Sequence, residues 1–175
     1  MQATTVAGVR GRPSAERLLG IYLNDHLAGS TAGLGLARRM ARRHRALPVG
    51  PAVASIAEEI EADRAAFLAL FDRLGITRRR YKVALGWLAE LVARAKSNGR
   101  LVASSPLSSV VELEALRLGV EGKRLGWVTL ATIARRDAEL GLDPAEFDAL
   151  VDRAARQADR LDHLRVQAIQ EALGR

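Results

Sequence analysis

The chain contains no cysteine. Disulfides and thiolate metal sites are therefore excluded. Aromatic residues are only 4% of its 175 residues, although 49% are hydrophobic. The core has to be built from Leu, Ala, Val and Ile, which favours helices over a sandwich of aromatic and β-branched strands. Histidine is scarce too, with only His26, His44 and His163. There is no Gly-x-Gly-x-x-Gly following a strand, no phosphate-cradling glycine loop and no Gly-x-Ser-x-Gly elbow. A catalytic residue cannot be located, and the expectation is a non-enzymatic protein without a cofactor. The stretch from Met1 to Pro13 has no long apolar run of the kind a secretory signal needs. Residues 1–13 are expected to be a disordered tail ahead of one domain at 14–175, in the cytoplasm.

Positive charge is in excess. The formal net charge is +7, carried by twenty-four arginines and three lysines. Such a balance permits contact with nucleic acid or an anionic membrane without requiring either.

Periodicity and punctuation predict five helical segments. The first spans about Ser14 to Arg45, with Ser14 as N-cap and Leu18, Tyr22, Asp25, Gly29, Ala32, Leu36 and Met40 on one face. After the break at Leu47-Pro-Val-Gly-Pro51, a second spans Pro51 to Leu74, with an inward stripe of Val53, Ile56, Ile60, Phe67, Phe71 and Leu74. Gly75 suits its C-terminal cap. A shorter third segment is expected from Thr77 to Lys96. The fourth starts at Ser105-Pro106 and runs to Arg136, with Leu107, Val110, Glu114, Leu118, Glu121, Leu125 and Val128 on a shared face. The fifth starts at the capping-box sequence Asp143-Pro-Ala-Glu146 and runs to Leu173, with Phe147, Val151, Ala154, Ala158 and Leu161 inward. Leu18 to Ala37 is long enough to cross a membrane, but Asp25 inside it would be costly in lipid, so no span is expected.

Three of the segments carry acids on faces that read as inward. These are Asp25 with His26, the run Glu58-Glu-Ile-Glu-Ala-Asp63, and Glu112-Leu-Glu-Ala-Leu-Arg-Leu-Gly-Val-Glu121. Acids on the inner faces of long helices resemble the ferritin-like family. The resemblance covers the chain after Ser14 and implies an all-α, up-down bundle of four long helices with an extra shorter one. In that family a di-iron site takes Glu from two helices and Glu-x-x-His from the other two. Here Ala62 stands three after Glu59, and His163 falls one place beyond the position that Asp159 would require. This departure puts iron binding and oxidase chemistry in doubt.

Each candidate has two readings. Asp25, Glu59, Glu114, Glu121 and Asp162 could converge on a metal. The preferred alternative is ion pairing, with Arg64, Lys123 and Arg165 as partners, because charges inside bundles are usually paired. His26 and His163 could meet across the first and last helices, or simply bond locally. The cluster Arg38, Arg39, Arg42, Arg43 and Arg45 could bind phosphates with salt-dependent affinity. No aromatic interleaving accompanies it, so a solvated helix end is preferred and nucleic acid is not an expected partner. Small residues at Gly29 and Gly33, and at Gly119, Gly122 and Gly126, could let two helices cross closely. The expected function is contact with itself or another protein, with a divergent metal-carboxylate protein and a non-specific nucleic-acid binder as alternatives.

Overall fold

A computed structural model describes residues 14–79 and 106–174. It is an all-α bundle. Helix α1 spans Ala15–His44, α2 Gly50–Arg73, α3 Pro106–Arg136 and α4 Pro144–Leu173, with a 3-10 turn at Ala138–Leu140 between the last two. The expected tail at 1–13, and all but the first residues of the expected third segment at 77–96, lie outside the described residues.

The punctuation acts largely as expected. Ser14 Oγ accepts from Arg17 N at 3.3 Å and opens α1. Gly50, at the start of α2, packs so closely on the preceding turn that a Cβ there would lie 2.5 Å from the His44 carbonyl. Only glycine fits that approach. Gly75 takes φ 62°, and Ile76 N reaches back to Phe71 O at 3.0 Å, which ends α2 in a Schellman motif. Asp143 accepts from Ala145 N at 2.9 Å and starts α4.

Side-chain contacts fix the helix directions. Arg38 pairs with Glu61 and Arg64 donates to Thr31, so α1 and α2 are antiparallel. Arg117–Asp162 and Arg135–Asp148 set α3 against α4 in the same way. Arg43–Glu112 with Tyr22–Thr129 orders α1 and α3, and Arg160–Glu59 with Arg73–Glu146 orders α2 and α4. Around the ring the order is α1, α2, α4, α3, and neighbours alternate in direction. Across the diagonal α2 and α3 run the same way, so α2 ends at the opposite end of the bundle from where α3 begins.

The core is aliphatic with one aromatic column. Phe67 stands edge-on to both Phe71 and Trp127, at centroid distances of 5.6 and 5.3 Å, and Trp127 stacks on Phe147 at 6.2 Å. Each such ring removed from water contributes about 1.5–3 kcal/mol. The stripes of α2 and α4 are inward as expected, with Val151 and Leu74 partly exposed.

Two stripes need correction. In α1, Asp25 and Gly29 are exposed and Leu18 is half-exposed, while Leu23, Asn24 and Leu27 face the core. The helix is rich in small and apolar residues on every side, so its period alone does not fix its phase. In α3, the face of Leu107, Glu114, Leu118, Leu125 and Val128 points outward, and Leu113, Leu116, Val120, Trp127 and Leu130 are buried instead. This helix has two apolar faces, and the bundle buries the one that carries Trp127. Among the described residues no helix is long and apolar enough to cross a membrane.

Candidate functional site

The polar centre of the bundle forms where α2, α3 and α4 face one another. Asp63 lies in phase with Ile56, Ile60 and Phe67 on the buried side of α2, and only 1% of it is exposed. Gln157 occupies the same level of α4, between Ala154 and Leu161, and is fully buried. Lys123 extends inward from α3 between them. Its ammonium donates to Asp63 Oδ2 and to Gln157 Oε1. Gln157 Nε2 donates to Asp63 Oδ2 and to Glu59 Oε2, both at 3.1 Å. Arg153 ion-pairs with the other oxygen of Asp63, which accepts no hydrogen bond among the described residues. Toward solvent, Arg160 donates to Glu59 Oε1 and to Ser55 Oγ, the latter at 3.1 Å.

The electrostatics follow from burial. Desolvation lowers the Lys123 pKa below that of an ordinary lysine, although the Asp63 carboxylate opposes the shift. Burial raises the Glu59 carboxyl, but hydrogen bonds from Arg160 and Gln157 outweigh it and leave the pKa lowered. Two carboxylates, Glu59 and Asp63, face three cations, Lys123, Arg153 and Arg160. A divalent cation needs the reverse balance. Lys123 itself supplies the cation at the centre.

The five acids proposed from sequence are not brought together. Glu59 alone belongs to the central network. Asp25 is exposed on α1. Glu114 is exposed and has Arg165 at 3.8 Å. Glu121 pairs with Arg124 on its own helix, and that hydrogen bond lowers its pKa. Asp162 accepts from Arg117 at 2.8 Å and Arg165 at 3.3 Å, with the Arg117 bond the larger cause of its lowered pKa. Of the expected partners, Lys123 pairs with Asp63, Arg165 with Asp162, and Arg64 with the Thr31 hydroxyl rather than an acid. Among the described residues no group of three or more His, Asp or Glu could hold a metal ion.

The histidines stay apart. His26 lies against Gly126, where a Cβ would come within 3.0 Å of its Nδ1, and its ring is 4.5 Å from that of Tyr22. Burial lowers its pKa against the pull of Asp25. His163 is exposed, with Nδ1 2.7 Å from the Asp159 carbonyl. Of the glycine patches, Gly126 does give α1 a close approach, through His26, whereas a Cβ at Gly29, Gly33, Gly119 or Gly122 would touch nothing within 4 Å. In the arginine cluster, Arg38 and Arg43 are paired with Glu61 and Glu112, and Arg39, Arg42 and Arg45 are exposed.

The sequence reading missed Asp63, Arg153, Gln157 and Arg160 as one unit. The available signal was phase: Asp63 and Gln157 continue the apolar stripes of their helices. On the outside, α3 bears a row of bare apolar side chains, with Leu118 59% and Leu125 51% exposed. The chain matches no protein-family model, no curated protein and no solved structure.

Proposed function

We propose that this chain is a non-enzymatic helical bundle of ferritin-like connectivity that works in the cytoplasm by self-association through the outward face of α3. The observation that carries the proposal is the row of Leu107, Leu118, Leu125 and Val128, all large, apolar and exposed on one side of a single helix. Isolated exposed leucines are ordinary, but several along one side of a helix support a contact surface. The single long connection implied by parallel α2 and α3 supports the ferritin-like part, since that family has one crossover. The paired charges of the centre support a structural rather than a chemical interior.

Light scattering on a size-exclusion column tests it. Wild type at about 100 μM, a range in which a micromolar dimer is populated, is expected at twice the monomer mass. Leu118→Arg with Leu125→Arg is expected at the monomer mass with unchanged helical circular dichroism. A wild-type monomer at that concentration would refute the proposal.

A further inference from the structure

We infer that the cleft between α1 and α2 is a binding site for a small aliphatic monocarboxylate, with Arg64 holding its head group. Two polar rungs bridge these antiparallel helices. Arg38 pairs with Glu61, and Arg64 Nε donates to Thr31 Oγ1 at 3.3 Å. Between the helices lies a cleft of about 340 Å³ that both rungs line. Small-molecule sites run from about 300 to 1,000 Å³. Buried Leu34 lines the cleft from α1, and Ala65 and Leu68 line it from α2. Gly35 leaves the surface of α1 low beside them, since a Cβ there would meet only Arg39 Nη1 within 4 Å, at 3.6 Å. An apolar lining with a few convergent polar groups is the usual composition of a ligand site.

Charge complementarity sets the head group. Arg38 and Glu61 offset each other, which leaves Arg64 as the one lining charge without an opposite partner among the described residues. Arg39 is exposed and stands outside the lining. The Thr31 hydroxyl donates its own proton to Leu27 O at 2.9 Å, so it can only accept from Arg64, and it holds the guanidinium by its Nε edge. The two Nη groups are left for a ligand. That end of the planar fork matches the two oxygens of a carboxylate. Glu61, close to Arg64 in the same lining, disfavours a phosphate dianion by like-charge repulsion.

Octanoate, octanol and inorganic phosphate are the probes, each titrated into the isotope-labelled full chain and followed by NMR. Octanoate is expected to shift the signals of Thr31, Ala65 and Leu68 saturably, with a Kd of about 0.1–1 mM, as for a small ligand in an open cleft. Octanol and phosphate each lack one half of the contact and are expected to bind at least about ten-fold more weakly. Arg64→Gln is expected to weaken octanoate about ten-fold, the size of a lost charge-assisted hydrogen bond. Gly35→Leu is expected to fill the cleft and abolish binding, because its side chain meets only the flexible end of Arg39. Both variants are expected to keep the wild-type helical circular dichroism. The wild-type shift map decides the case if either does not. No saturable shift below about 10 mM octanoate would overturn the site. So would shifts on the outer face of α3 instead of the cleft. Octanol or phosphate binding as tightly as octanoate would overturn the ligand class. Unchanged affinity in Arg64→Gln would overturn the head-group contact, and unchanged affinity in Gly35→Leu would overturn the cleft as its place.

Discussion

The centre of the bundle and the outer face of α3 invert the usual distribution of residues. Inside, Asp63, Lys123 and Gln157 are charged or polar and almost sealed from water. Outside, Leu118 and Leu125 of the same helix α3 are more than half exposed. The interior charges pair with one another, although Asp63 Oδ1 and Arg153 Nε make no hydrogen bond among the described residues. The exterior leucines are left more than half exposed among the described residues. On the proposal above, function belongs to that outer surface. The interior favours one register for α2, α3 and α4, because a buried charge tolerates few positions for its partner.

The comparison breaks most sharply if the interior charges are unpaired. Asp63→Ala leaves Lys123 and Arg153 without their shared carboxylate. It is expected to cost about 3–5 kcal/mol in urea unfolding, the range for breaking a buried pair. Asp63→Leu combined with Lys123→Met removes both charges and is expected to recover much of that loss. A single variant as stable as wild type would show that the centre does not hold the bundle together.

Asn24 is the neutral counterpart of that centre. It is 2% exposed, and its amide donates to Gly20 O at 2.7 Å and Thr77 O at 3.1 Å while accepting from Arg79 N at 2.6 Å. Asn24→Ala strands those backbone groups and is expected to cost about 1–3 kcal/mol, measured in the same urea titration. The outer face is expected to respond in the opposite way. Leu118→Arg with Leu125→Arg should leave the urea midpoint of the dilute monomer within about 0.5 kcal/mol of wild type, as for surface changes generally. A large loss there would mean that the face is part of the core.

The smallest effect concerns the solvent edge of the network. Glu59 has a folded-state pKa below its ordinary value of 4.5. A depressed carboxyl contributes stability that is present above the unfolded pKa and is lost as pH falls through the folded one. Glu59→Gln is expected to lower stability modestly at neutral pH, to flatten the acid limb below pH 4.5 and to converge with wild type at lower pH. An identical acid limb in the two proteins would remove Glu59 from the account.

Much of the helix pattern was legible in the sequence because turn chemistry is local. Ser14, Gly75 and Asp143 each act within a few residues of themselves, and their roles could be read directly. The inward stripe of α2 was legible for a related reason, since Phe67 and Phe71 stand on only one of its faces. The phase of α3 was not. Its outward row of leucines is as regular as its buried row, and only the presence of Trp127 separates the two. The centre was half legible. Lys123 could be named as a partner for interior acids, but its true partner Asp63 is sixty positions away, and no local rule links them. Asp25 misled because it sits among apolar neighbours, where the period alone does not fix the phase of the helix.

Methyl NMR with a soluble paramagnetic probe compares the two regions in a single sample. The methyls of Leu116 and Leu130 should stay shielded from the probe at every protein concentration. Those of Leu118 and Leu125 should be shielded at about 100 μM, where a micromolar dimer is populated, and become bleached on dilution. Leu118 and Leu125 methyls that are equally bleached at all concentrations would contradict the claim that this face is where the protein meets its own copy.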